Sequence, residues 1–277
     1  MPEASAVTDE GDETDAESGQ TPDIDGEVPV SVRVRADTLK PLLSAVGALV
    51  DECRLTFGRD GIRAAAMDPA TVAAVDAELD AAAAASYEAD GTVVGVDVTR
   101  LEEVLSMVAG DDPVTLALDP ESFRLHVVAD GLEYAMGLFD PDSVRGPPDV
   151  DDLGFEHTAS LTVPVDTVGR FVTAAGMVAD HLALSVDPDA ETFVAAADGD
   201  TDDVQFTVTA EEAVAFSPGD AGSLLSLSYL IDIERAIPAG TDVRLTLGRK
   251  APLGVAYDIS GGDGRVEAFV APRLKAV

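Results

Sequence analysis

Apolar residues recur at helical spacing between Asp37 and Asp51, where Leu39, Leu42, Leu43, Val46, Leu49 and Val50 fall on one stripe at 100° per residue. The stripe returns as Val168, Phe171, Val172, Ala175, Val178 and Ala179, in a segment that opens at Asp166, 129 residues after Asp37. The same offset relates VTRLEEVLSMVAGDDPVTLAL, from Val98, to LSYLIDIERAIPAGTDVRLTL, from Leu227, with Thr99 over Ser228, Val114 over Val243 and Leu118 over Leu247. A constant offset held across separate segments predicts two copies of one domain.

Each copy reads as strand, helix, several strands, helix, three strands. In the first, VPVSVRV alternates as a strand from Val28, and Asp37 is suited to cap the helix that follows. Arg54 to Asp68 predicts two strands around an RDG turn, Thr71 to Leu79 another strand, Ala81 to Tyr87 a loop or short turn, and Thr92 to Val98 a further strand. Thr99 is the expected cap of the second helix, whose inward stripe Leu101, Val104, Leu105 and Val108 corresponds to Leu230, Ile233, Glu234 and Ile237. Three short strands close the copy, at Pro113 to Leu118, Arg124 to Val128 and Leu132 to Leu138. Phe139 to Glu156, rich in Pro and Asp, predicts an extended, ordered linker. The domains are therefore 1–28, a disordered acidic tail without a base or an aromatic, then 29–138, the linker 139–156, and 157–277.

The outward faces of the first helix in each copy are unusual. They carry Lys40, Pro41, Ser44, Ala45, Gly47 and Ala48 in one, and Gly169, Arg170, Thr173, Ala174, Gly176 and Met177 in the other. Solvated helix faces favour Glu and Lys, so mostly small residues with a single base suit close approach to something large. The plainer alternative is an Ala-rich helix in an Ala-rich protein.

Composition changes the picture in two ways. With 53 acidic residues against 17 basic ones, only three of them lysines, the net charge is −36. Such a surplus repels itself in dilute salt but is screened at molar salt, where the Debye length is about 3 Å. Because the acidity is spread along the chain, it points to a salt-saturated cytoplasm rather than to an acidic DNA mimic or ion-binding protein. No apolar run is long enough to span a membrane and no secretory pattern opens the chain, so a cytoplasmic location is expected.

Little catalytic chemistry is visible. The G-x-x-x-x-G-K-[ST], G-x-S-x-G, H-E-x-x-H and C-x-x-C patterns are all missing, and no cofactor is expected. Cys53, the single cysteine, reads as a small core residue. His126, His157 and His181 are scattered, with His181 expected to end a helix. DGDTDD, Asp198 to Asp203, reads as a turn; a carboxylate-based metal-dependent enzyme using Asp198, Asp200 and Asp202 is the alternative from another class.

The duplicated pattern, AMDPATVAAVDAEL (Ala66 to Leu79), LFDPDSVR (Leu138 to Arg145), APLGVAYDI and the terminal APRL (Ala271 to Leu274) together resemble the DNA sliding clamps of archaea and eukaryotes, the proliferating cell nuclear antigen family. The likeness covers about residues 29 to 277 and has the stamp of a haloarchaeal member. It implies an α+β clamp fold, two similar domains each with two helices packed on antiparallel sheets, assembled head to tail as a ring-forming homotrimer. It implies that a strand near Leu132 to Leu138 of one subunit pairs with one near Val204 to Thr209 of the next. It implies a non-enzymatic processivity factor that encircles double-stranded DNA without reading sequence and is placed there by a clamp loader. Lys40, Arg100, Arg170 and Arg235 match the family's DNA-facing positions, one on each helix. DNA polymerase, flap endonuclease and DNA ligase would dock through short peptides with a glutamine and an aromatic pair. Their pocket corresponds to Met67, Thr71, Val72, Leu138, Val144, Pro252, Phe269, Ala271, Pro272 and Leu274, with Pro147 and Pro148 as rivals to Val144. A specialised paralogue that assembles only with other subunits is a further alternative.

Overall fold

The computed structural model describes residue 24 and residues 28–147 and 154–273. The expected tail lies almost wholly outside the described residues, as do Pro148 and Leu274.

The first half runs β1 (Val30–Arg35), α1 (Ala36–Gly47), β2 (Glu52–Phe57), β3 (Gly61–Met67), β4 (Ala73–Asp80), β5 (Ser86–Ala89), β6 (Thr92–Asp97), α2 (Val98–Ser106), β7 (Pro113–Asp119), β8 (Arg124–Ala129) and β9 (Leu132–Gly137). The second runs β10 (Ala159–Pro164), α3 (Val165–Ala175), β11 (His181–Asp187), β12 (Thr192–Asp198), β13 (Asp203–Thr209), β14 (Ala215–Ser217), β15 (Ala221–Ser226), α4 (Leu227–Ala236), β16 (Asp242–Leu247), β17 (Leu253–Ile259) and β18 (Gly264–Val270). The order of helices and strands is identical in the two halves.

Three antiparallel sheets result. A five-stranded sheet has the order β5-β1-β7-β8-β9, and a four-stranded sheet the order β13-β12-β11-β15. The third, β14-β10-β16-β17-β18-β4-β3-β2-β6, is built from both halves, because β18 pairs with β4 from Gly264↔Leu79 to Val270↔Ala73. All four helices bury their apolar stripes; α1 packs on α2, α3 on α4, and α1 meets α4 where the halves join. Leu39, Leu42, Leu43, Leu101 and Leu105 are fully buried, each such side chain contributing about 1.5–3 kcal/mol of transfer free energy. Cys53 is buried among them, and burial pushes its thiol up to about 12.

The helix starts differ from the expected caps. α1 opens one residue before Asp37, whose carboxylate instead accepts a paired hydrogen bond from Arg35 (3.0 and 2.6 Å). Thr99 does not cap α2; Asp97 does, accepting from the Arg100 amide at 2.9 Å. The first amide of every helix donates to a main-chain carbonyl from a distant loop: Ala36 to Asp112, Val98 to Asp51, Val165 to Thr241 and Leu227 to Asp180. These partners too are related by the offset of 129, so the duplication extends to how orphan helix amides are satisfied.

Other expectations need correction. Ala45 is buried rather than outward. Ser86–Ala89, within and beyond the expected loop, forms β5, because β1 has an edge free to take it from Val30↔Ala89 to Arg33↔Ser86. The strand expected from Thr71 starts only at Ala73, since Thr71 adopts φ 59° in a tight loop. His181 opens β11 rather than ending a helix; α3 stops at Ala175. The linker is not extended from its start, because Pro141–Ser143 forms a 3-10 turn.

Candidate partner pocket and helix face

Two strand ends and the joint of the large sheet assemble the candidate pocket. Met67 pairs with Ala74, Ala74 with Phe269, and Phe269 with Gly254, so these four residues share one face across β3, β4, β18 and β17. The small Ala74 separates the half-buried Met67 and Phe269, and Gly254 lies beyond Phe269, where an added Cβ would collide with Thr246 Oγ1. Sequence reasoning missed Ala74 and Gly254, because nothing local distinguishes them from other small strand residues.

The walls are fixed by hydrogen bonds. Asp68, 3% exposed, accepts from the amides of Ala70 (3.0 Å), Val72 (2.6 Å) and Ala73 (2.7 Å) and from the Tyr229 hydroxyl (2.7 Å). Burial alone would raise its carboxyl, but these four donors outweigh it and hold the group below the usual carboxylate range. The Val72 carbonyl accepts from the Ala271 amide at 2.7 Å, and the Arg273 amide donates to Leu224 at 2.7 Å, so Ala271, Pro272 and Arg273 run as the C-terminal wall. Pro252 is half-buried, and its carbonyl is 2.9 Å from His157 Nε2.

The start of the linker docks on the edge of β6. Phe139 and Gly95 exchange two main-chain hydrogen bonds (2.8 and 3.0 Å), while Arg54 Nε donates to the carbonyls of Pro141 and Val144, both at 2.8 Å. Val144 is 5% exposed and faces Gly95, where an added Cβ would lie 3.1 Å from it and 2.9 Å from Phe139 Cβ. The Met67 amide donates to Arg145 at 3.2 Å, which ties linker to pocket. Thus Met67, Val72, Phe269 and Ala271 are brought together, Leu138 precedes the docked turn, Thr71 stands exposed on the loop, and Val144 is the linker residue buried against Gly95 of β6.

The N-terminal domain family of proliferating cell nuclear antigen matches residues 32–131. The DNA polymerase sliding clamp of Natronomonas pharaonis is 45% identical over 243 residues, 88% of this chain and 98% of that protein. That of Haloarcula marismortui is 44% identical over the same shares. This chain belongs to the DNA polymerase sliding clamp family. The solved structure of A. fulgidus PCNA with the C-terminal region of FEN-1 bound superposes with a TM-score of 0.82 at 28% identity, covering 90% of this chain and 100% of that one. PCNA from Thermococcus kodakaraensis shares the fold, with a TM-score of 0.78 at 23% identity over 88% of this chain and 100% of that one.

The clamp's helix face is less bare than its sequence suggests. Much of the small-residue surface seats a partner helix: a Cβ on Gly47 would collide with the Glu102 carboxylate, and one on Gly169 would lie 2.6 Å from Glu234 Oε1. Ser44 also donates to Glu102 at 2.9 Å. Lys40 donates to the Val108 carbonyl at 2.7 Å. Arg170 stacks over the Phe206 ring, 4.9 Å from its centroid, and Arg100 lies beside Asp97 at 3.8 Å and interacts with Tyr134. Arg235 is exposed in the last turn of α4. Asp198, Asp200 and Asp202 belong to the β12–β13 hairpin; among the described residues no group of three or more His, Cys, Asp or Glu is arranged to hold a metal ion. No described helix is long and apolar enough to cross a membrane.

Proposed function

We propose that this clamp closes as a homotrimer around duplex DNA and acts as a non-catalytic processivity factor, with domains 29–138 and 157–277. The observation that carries this reading is a pair of complementary free edges. β9 ends the five-stranded sheet and β13 ends the four-stranded one, while their counterparts in the other halves, β18 and β4, are already paired within the chain. An unpaired edge is a template for another strand, and a head-to-tail contact that closes leaves none exposed.

The internal seam also supplies the register. Matching strands between halves through their pairings maps Val266↔Ala77 onto Leu132↔Phe206, and Glu267↔Asp76 onto Glu133↔Gln205. Main-chain directions agree with this. The Ala210 amide donates to Glu191 and the Leu138 amide to Phe123, which by alternation leaves Gln205 and Glu133 with their N–H and C=O groups pointing outward. Leu132, Tyr134, Val204 and Phe206, all half-buried on the helix side, would meet there. Leu132, Tyr134 and Phe206 are bulkier than their internal counterparts Val266, Ala268 and Ala77, while Val204 matches Val75, as suits a joint whose burial must offset lost rotational and translational freedom.

Lys40, Arg100, Arg170 and Arg235 would face DNA, but with Lys40 and Arg170 already engaged and the surroundings acidic, phosphate attraction is weak and falls further at molar salt. Retention is by encirclement, after opening by a clamp loader. Polymerase, flap endonuclease and ligase dock by short peptides in the pocket of Met67, Thr71, Val72, Leu138, Val144, Pro252, Phe269, Ala271, Pro272 and Leu274. The clamp works beside the chromosome in the cytoplasm. Native mass in molar KCl, together with polymerase stimulation on circular but not short linear template, tests the reading. A mass of three times 28.5 kDa is expected; a monomer, or activity tied to a stoichiometric divalent ion, overturns it.

A further inference from the structure

We propose that Tyr229 is a positioning residue for the partner pocket, holding the loop from Asp68 to Val72 in its binding shape although it belongs to the other half of the chain. The inference rests on the pocket reading above and adds to it the group that sets the pocket's affinity.

Asp68 is the hub. Its Oδ1 accepts from Val72 and Ala73, and its Oδ2 from Ala70 and Tyr229. Its main chain closes the loop as well, the Asp68 amide donating to Ala73 and the Asp68 carbonyl accepting from Thr71, both at 2.9 Å. Thr71 sits at φ 59°, a region that a β-branched residue avoids and that persists only where surrounding contacts impose it. The loop's last residue, Val72, presents its carbonyl to Ala271, so the same carboxylate orients both the first side and the C-terminal wall.

Two of the four donors to this carboxylate, the Ala70 and Val72 amides, belong to the loop itself, and the third, Ala73, is the first residue of β4. All three belong to the first half and cannot tie the carboxylate to the second. The Tyr229 hydroxyl is the exception: it projects from α4, 161 residues away in sequence, and its ring packs partly buried against the core. Tyr229 therefore ties the Asp68 end of the loop to the second half, as the Ala271 amide ties Val72 at the other end. Burial and the neighbouring Asp68 push its hydroxyl up to about 12, so it remains a donor throughout the physiological range.

Tyr229→Phe removes one hydroxyl and leaves the ring. Tyr87→Phe is the control, since its hydroxyl also donates a hydrogen bond, to the Gly58 main-chain carbonyl at 2.8 Å, at the opposite end of β3 from the loop. In molar KCl, with trimer mass checked for each, binding is read by anisotropy of a labelled synthetic peptide carrying a glutamine and an aromatic pair. Amide exchange is read at Val72 and Ala73. A hydrogen bond to a buried anion predicts about a tenfold weaker Kd and about tenfold faster exchange at those amides for Tyr229→Phe, with Tyr87→Phe unchanged. Wild-type affinity and exchange in Tyr229→Phe overturns the inference, as does equal weakening by both variants. A wild-type clamp that does not bind the peptide overturns the pocket reading itself.

Discussion

Replacing Gln205 by proline tests the joint with little effect on the subunit. Gln205 lies in the edge strand β13 with an exposed side chain, and its N–H points away from β12. Proline is tolerated on an edge strand whose N–H faces solvent, so the isolated chain should fold. In the ring the same amide would donate to Glu133 of the neighbour. Its loss removes about 0.5–1.5 kcal/mol of net hydrogen bonding and leaves a buried carbonyl unmet, at about 1–3 kcal/mol. The pyrrolidine ring adds a steric cost against the facing strand. A weakening of about 3–4 kcal/mol per joint corresponds to roughly 100- to 1000-fold in its dissociation constant. Sedimentation equilibrium in molar KCl should therefore show monomer where wild type is trimeric, with unchanged circular dichroism and melting temperature. Val204→Pro is the converse, because the Val204 amide points toward β12; it should lower the melting temperature directly. A Gln205→Pro protein that remains trimeric with a wild-type dissociation constant, or that melts as early as Val204→Pro, refutes the reasoning.

Three other outcomes follow. Oxidised chains carrying both Glu133→Cys and Gln205→Cys should give a covalent ladder up to trimer on denaturing gels. Directly opposed hydrogen-bonded residues lie about 5.5 Å apart, within disulfide reach, whereas Glu133→Cys with Thr207→Cys should cross-link poorly. Asp68, whose folded carboxyl is held below its unfolded value of 3.8, contributes stability that is fully present above that value and is lost as pH falls through the folded one. Asp68→Asn should accordingly be less stable than wild type at neutral pH and show a shallower loss below about pH 4 in denaturant titrations, each unit of depression being worth about 1.4 kcal/mol. Gly95→Ala should push Phe139 and Val144 off β6, costing about 1–3 kcal/mol by overpacking, and weaken peptide binding; an unchanged melting temperature and affinity would count against the docked linker.

Much of this architecture lies in short-range pattern. The stripe from Leu39 to Val50 and its counterpart from Val168 to Ala179 state the duplication because a helix facing a core must repeat every three to four residues, and the two cores share one offset. Acid content likewise needs no fold to be read, since screening acts on the whole chain. The helix starts were not legible: Asp37 had the chemistry of a cap, but Asp112 and Gly110 supply main-chain acceptors to the first amides of α1, and only folding brings them there. β5 was hidden because its four residues become a strand by meeting the edge of β1. The small faces of α1 and α3 suit close approach to something large, whereas part of that space belongs to Glu102 and Glu234 on the neighbouring helices. The pocket shows the same division. Met67, Val72, Phe269 and Ala271 could be named from resemblance, but the row of Met67, Ala74 and Phe269 across three strands and the Tyr229–Asp68 bond arise from strands and helices far apart in the chain. Local periodicity is encoded between residues a few positions apart; which distant edges and carbonyls meet is decided only when the two cores close against one sheet.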